Sequence, residues 1–306
     1  MLNARTLKPY LAPIAIPLLS LALATLTDCS RRALGPAKSG EEAGAKYPIV
    51  LERELEPGKE YRVRVQVEST TTRVARSKSK VVKEEKDTKV LTFAGTHRAL
   101  AAGKNQRAEY VVDELSVVRG GQTQTLLPQR TTILASPVGD SWRYTVDGQP
   151  VAEDVHEALA SLLGDKTNGP SNDALLGSKA PRAVGERWSV DIIDVPDDYE
   201  FAIEREGASG STRVVALRNV DGVGCLEIAG ELSYPKVELK SMPADTKIIN
   251  AGLSVIFLGL FPTNTKLPPR RTRTIVDLAF TMDGSLPEGP VKWDIVTHSE
   301  ETTNRQ

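Results

Sequence analysis

Single-residue alternation of apolar and polar side chains runs along much of this chain, and it constrains the fold more than any other feature. Residues 61–68 read Tyr-Arg-Val-Arg-Val-Gln-Val-Glu. A period of two sends one set of side chains to a core and the other to water, which marks a half-buried strand. Comparable runs fall at 81–93, 108–118, 130–135, 142–146, 188–193, 212–220, 225–232, 237–240, 273–282 and 291–297. Gly120-Gly121, Asp147-Gly148, Asp221-Gly222 and Asp283-Gly284 punctuate them, dipeptides that accept positive φ and reverse a chain between antiparallel neighbours. The expected fold class is mainly β, with antiparallel meander sheets arranged as two related halves or as a half-barrel. A doubly wound βαβ enzyme is not expected.

One segment departs from that period. Val151, Val155, Ala158, Leu159 and Leu162 recur at spacings of three and four, the stripe of an amphipathic helix over 151–163, and Gly164 stops it. Residues 165–182 carry Gly, Ser, Asn and Pro with little alternation, as a loop between two regions would. A sparse echo links those regions. Gly58-Lys59-Glu60-Tyr61 and Gly185-Glu186-Arg187-Trp188 each place a Gly turn and two charges before an aromatic that opens a strand. The organisation expected is a signal over 1–28, a tether over 29–46, a first β region with its closing helix over 47–164, and a linker loop over 165–182. A second β region over 183–299 and a polar tail over 300–306 complete it.

The amino terminus reads as an export signal. Arg5 and Lys8 precede an uncharged apolar stretch over 11–26, shorter than the roughly 20 residues a bilayer-spanning helix needs and interrupted by Pro13 and Pro17. Two cleavage modes remain open. Leu26-Thr27-Asp28-Cys29 resembles a bacterial lipobox, with Asp28 departing from the small residue usual before the cysteine, and makes Cys29 the lipidation candidate. Ala22-Leu23-Ala24 offers an ordinary small-x-small site instead. Residues 30–46 hold little to bury, as suits a tether. Cys225, the second of two cysteines, sits in an apolar run and reads as a small core residue; a pairing with Cys29 is the other option.

Candidate chemistry is thin. The chain has three histidines, His97, His156 and His298, and His156 has no second histidine four residues on, so a two-histidine zinc face is missing. Residues 207–211 hold glycines and serines without the spacing of a nucleophile elbow. Asp191, Asp194, Asp197 and Asp198 could pair as carboxylates for acid–base work, or simply solvate a hairpin tip. Formal net charge is −1, against the basic face that nucleic acid requires. Seven basic and three acidic residues crowd 73–89, a run that suits either anionic lipid and cell-wall polymers or the guarding of a sheet edge. No cofactor is called for.

The apolar run 248–261 (IINAGLSVIFLGLF) lacks alternation and must be covered on both sides, by protein or by a ligand. Its apolar members Ile248, Ile249, Leu253, Val255, Ile256, Phe257, Leu258, Leu260 and Phe261 form the candidate ligand-binding wall. The signal with Cys29, the polar tether and the meanders with their Gly-x-x-Trp opening together resemble β-rich secreted proteins and lipoproteins of bacterial envelopes. More remotely, one helix against extended antiparallel sheet is similar to lipoprotein carriers, whose half-barrel encloses an acyl chain. The resemblance implies a non-enzymatic, lipid-anchored envelope protein, at the outer membrane or in the periplasm, that binds an apolar ligand or another envelope component. A carboxylate-dependent periplasmic hydrolase of cell-wall or glycan substrates and a structural or assembly lipoprotein are the alternatives.

Overall fold

The computed structural model describes residues 44–103, 106–164, 167, 171–190, 192, 201–239, 247–286 and 289–306. In chain order the elements begin with β1 (Lys46–Ile49), β2 (Glu60–Ser77), β3 (Lys80–Ala99), β4 (Ala108–Arg119) and β5 (Gln122–Thr125). They continue with β6 (Thr132–Val138), β7 (Ser141–Val146), β8 (Gln149–Pro150), α1 (Glu153–Leu163), α2 (Asn172–Leu176), β9 (Ser178–Ala183), β10 (Arg187–Ser189) and β11 (Phe201–Ile203). The rest are β12 (Ser209–Val220), β13 (Val223–Tyr234), β14 (Val237–Leu239), β15 (Ile248–Pro262), β16 (Arg271–Leu286) and β17 (Gly289–Arg305). The chain is mainly β, as the period requires.

Thirteen strands form one antiparallel sheet in the order β10-β12-β13-β15-β16-β17-β2-β3-β4-β6-β7-β8, with β5 on β4. The sheet is open, ending at β10 on one side and β8 on the other. Its two regions meet where β17 pairs with β2, from Lys292↔Arg76 to Arg305↔Val63. The pairs β1–β9 and β11–β14 lie outside this path.

Three expectations are corrected by this topology. Residues 300–305 are not a tail: they belong to β17, paired on both sides, and Ser299, Glu301 and Thr303 are buried. Their polar composition hid a central strand because its inward face is itself polar. The expected loop 165–182 contains α2 and most of β9. Ser171 accepts the Ala174 N–H at 3.1 Å as an N-cap, and Leu175 and Leu176 are buried. Asp283-Gly284 is not a turn but lies within β16 opposite Lys292 and Val291. A Cβ on Gly284 would sit 2.7 Å from the Trp293 ring, so the glycine makes room for an aromatic. By contrast Asp147-Gly148 and Asp221-Gly222 turn with positive φ as read, and so does Lys78-Ser79, which carried no glycine signal.

Two apolar cores lie on the sheet. The first gathers Val63, Val65, Val67, Leu91, Phe93, Val112, Leu115, Ile133 and Tyr144 under α1, whose buried Val155, Ala158, Leu159 and Leu162 match the sequence stripe. The Tyr144 hydroxyl donates to the Gly164 carbonyl at 2.6 Å and so satisfies one helix-end acceptor. The second core gathers residues of β12, β13 and β15–β17 with Ile49, Leu51, Leu175, Leu176 and Trp188. Its cover is assembled from distant chain: Asp173 of α2 accepts the N–H of Leu51 at 2.6 Å and of Glu52 at 3.3 Å. The aromatics of the internal echo are both buried, but β2 is central in the sheet and β10 is terminal, so the two openings occupy non-equivalent places.

Candidate functional site

Residues 248–261 form most of β15, and the sheet imposes on them an alternation that their composition conceals. Leu253, Val255, Phe257 and Phe261 point into the second core; Ile256, Leu258 and Leu260 are half-buried on the opposite face. Ile248 packs against the core edge and Ile249 is 44% exposed. The nominated wall is therefore split between two faces.

On the face away from the core a groove of about 470 Å³ crosses β13, β15, β16 and β17, within the range of small-molecule sites. Its floor exists because two small residues stand directly across from one another, Gly252 facing Ala279, with Val296 opposite Ala279 on the next strand. Ser233 faces Ser254, which faces Asp277. A Cβ on Gly252 would stand in ordinary contact, at 3.6 Å, with the Tyr234 and Pro235 carbonyl oxygens, so the groove wall here is backbone and a side chain can be added without a clash at its first atom. Val296 remains 44% exposed there. Among the nominated residues only Leu253 borders the groove, and its side chain, like those of Tyr234, Ala251, Phe280 and Ile295, belongs to the core on the other face of the sheet.

Both carboxylates of the lining have partners. Asp277 accepts from His298 Nδ1 at 2.7 Å. Asp294 accepts from Arg76 Nε at 2.9 Å through one oxygen and from the Thr281 hydroxyl at 3.0 Å through the other. Both carboxylates are thus held by neighbours, leaving hydroxyls and apolar surface to a ligand. The sequence offered no route to this constellation, because Gly252, Ala279 and Val296 become neighbours only through a register spanning three strands. An outward-facing Gly and Ala in otherwise bulky strands was the one available hint.

The other nominated groups lie elsewhere. His156 packs edge-on to Tyr144 with ring centroids 5.7 Å apart, and its Nε2 is 3.4 Å from the Trp142 carbonyl. His97 stacks on Tyr110 at 4.5 Å. Burial, with the nearby Arg305 cation adding to it, lowers His97 to about 4, and burial raises Tyr110 to about 12, so both are neutral at pH 7. Cys225 is a buried free thiol, pushed upward by desolvation. Of the glycine- and serine-bearing residues 207–211, Ser209, Gly210 and Ser211 open β12. Cys29, the signal over 1–28 and Asp191, Asp194, Asp197 and Asp198 lie outside the described residues. Among the described residues no group of three His, Cys, Asp or Glu could hold a metal ion, and no helix is long and apolar enough to cross a membrane.

No known protein family matches the chain, and no curated protein matches it. A solved structure of lipovitellin, described for its lipid–protein interactions, is similar at a TM-score of 0.38 and 9% identity over 82% of this chain. The match spans 25% of that protein, so this chain covers about a quarter of its length.

Proposed function

We propose that this chain is a non-enzymatic binding protein of the bacterial envelope that takes an apolar or weakly polar ligand in the groove across β13 and β15–β17. The groove floor carries the reading: Gly252 and Ala279 leave space beside Val296 on a sheet face where bulky side chains would otherwise close it, while Asp277 is hydrogen-bonded by His298 and Asp294 is ion-paired with Arg76. A ligand there gains apolar contact without stripping water from an unpaired carboxylate. The charged amino-terminal segment, the apolar stretch after it and Cys29 support export and a lipid anchor.

Native mass spectrometry of the full chain from a bacterial host tests the groove. A noncovalent adduct that disappears on denaturation is expected, and Gly252→Leu, whose Cβ meets no atom nearer than 3.6 Å, should remove it while melting stays unchanged. A wild-type spectrum free of adduct, or an adduct indifferent to Gly252→Leu, overturns the reading. The anchor is tested separately by detergent partitioning, which Cys29→Ala should shift to the aqueous phase.

A further inference from the structure

We propose that the tip of the β2–β3 hairpin is a docking wedge for anionic lipid membranes. The inference goes beyond the ligand-binding reading and does not depend on it. The turn is made by Lys78 and Ser79 at φ 47° and 67°, a left-handed pair that glycine would adopt more easily, so a cation stands at the apex. Just beyond it Val81 and Val82 are 50% and 51% exposed. They are consecutive in β3, and a register shift in the β2–β3 ladder falls beside them. The shift leaves Val82 without a cross-strand partner, so the two valines stand together as exposed apolar surface beside the turn.

The turn itself carries only basic charge, and the first acids of β3, Glu84 and Glu85, follow the valines. From residue 73 to 83 the chain carries Arg73, Arg76, Lys78, Lys80 and Lys83 and no acid. Arg76 is bound to Asp294 and Lys83 to Glu85, whereas Lys78 and Lys80 have no ion-pair partner among the described residues. Edge guarding explains part of this arrangement. β3 pairs with β4 only from Lys89 onward, so residues 80–88 have a bare second edge that lysines protect from association. Edge guarding does not explain two exposed valines, which work against it. Exposed apolar residues beside unpaired lysines at a hairpin turn fit an interface where the valines enter the acyl boundary and the lysines meet lipid phosphates.

The position of the tip gives the contact a use. Asp294, which lines the groove, holds Arg76 of β2, and the groove residues Asn250, Thr281 and Asp294 pair across to Val74 of the same strand. A membrane touched by the tip therefore lies at the groove's own end of the sheet.

The test is co-sedimentation of the full chain carrying Cys29→Ser, so that no amino-terminal lipid contributes, with vesicles of phosphatidylcholine alone or with phosphatidylglycerol added. Binding is expected only to the anionic vesicles, falling as salt rises. Lys78→Gln with Lys80→Gln should weaken it about 25-fold, at about fivefold for each basic residue near an anionic surface. Val81→Ser with Val82→Ser should weaken it by about tenfold or more. These exposed substitutions leave the melting curve unchanged, so a loss of binding is not a loss of fold. Equal binding to neutral vesicles, or anionic binding indifferent to the valine pair, overturns the wedge. Soluble polyphosphate binding as tightly as vesicles, with the same lysine dependence and none on the valines, assigns the tip to polyanions instead and also overturns it.

Discussion

The two cores rest on one sheet but are closed by different means. The first is covered by α1, a helix that follows its last strands directly in the chain and whose apolar stripe is complete within eleven residues. The second is covered by the five-residue α2 and by residues 49–51, brought together across more than 120 positions through the Asp173 carboxylate. Arg53 strengthens the same closure, donating to the carbonyls of Val50, Asn264 and Leu267 and lying 5.5 Å over the Phe261 ring. Periodicity builds the first cover. Polar anchors between distant segments build the second, because a helix of five residues has too few turns to hold itself in place.

The strongest way to break the comparison is to hollow each core beneath its cover. Leu159 of α1 and Leu176 of α2 are both essentially fully buried. Leu159→Ala and Leu176→Ala should each cost about 2–5 kcal/mol in urea unfolding, as buried leucine deletions do. Amide exchange separates them: the first should loosen β2–β4 and β6–β7, the second β12, β13 and β15. If either substitution loosens the whole sheet equally, the two cores are one cooperative unit and the distinction fails.

Acid should act on the first region before the second. His97, paired opposite Tyr61 and Tyr110, is held neutral down to about pH 4 when folded, against about 6.5 for a free side chain. The unfolded chain binds more protons between those values, so this contribution is present above pH 6.5 and is lost as pH falls toward 4. The loss amounts to about 3 kcal/mol at most. Urea midpoints from pH 7 to pH 4 should show a decline that His97→Gln flattens. An equally steep decline in the variant would place the acid sensitivity elsewhere.

Asp173→Ala probes the second cover alone. Removing the acceptor strands the N–H groups of Leu51 and Glu52 and should cost about 2 kcal/mol, with faster exchange of both amides and no change around α1.

The same contrast explains what could be read from the sequence. Strands with one apolar and one polar face were legible, and so was α1, because their periods differ and both are local. The last strand was read only to residue 297 and the rest of β17 set apart as a tail from 300, since Glu301 and Thr303 put polar side chains where a core strand shows apolar ones. β15 hid its alternation because Ile256, Leu258 and Leu260 keep the outer face apolar as well. The groove was illegible for a third reason: Gly252, Ala279 and Val296 come from three strands, and register between strands is set by tertiary pairing. α2 was missed because a short capped helix inside a Gly- and Pro-rich stretch resembles a loop in composition.

Cross-strand ion pairs offer the finest comparison between the two regions. In the second region Arg273 grips Glu300 through two parallel bonds of 2.7 and 2.8 Å, with both side chains about 30% exposed. In the first, Arg64 reaches Glu114 through a single 3.0 Å contact, with exposures of 50% and 42%. A forked, half-buried pair keeps its geometry and is screened less than a single exposed one. Double-mutant cycles with Ala should return a coupling of about 1 kcal/mol for Arg273 with Glu300 and about 0.3 kcal/mol for Arg64 with Glu114. Raising salt should shrink the second value more than the first. Equal couplings would mean that neither the fork nor the lower exposure strengthens the Arg273–Glu300 pair, and that cross-strand ion pairs hold the two regions with the same strength.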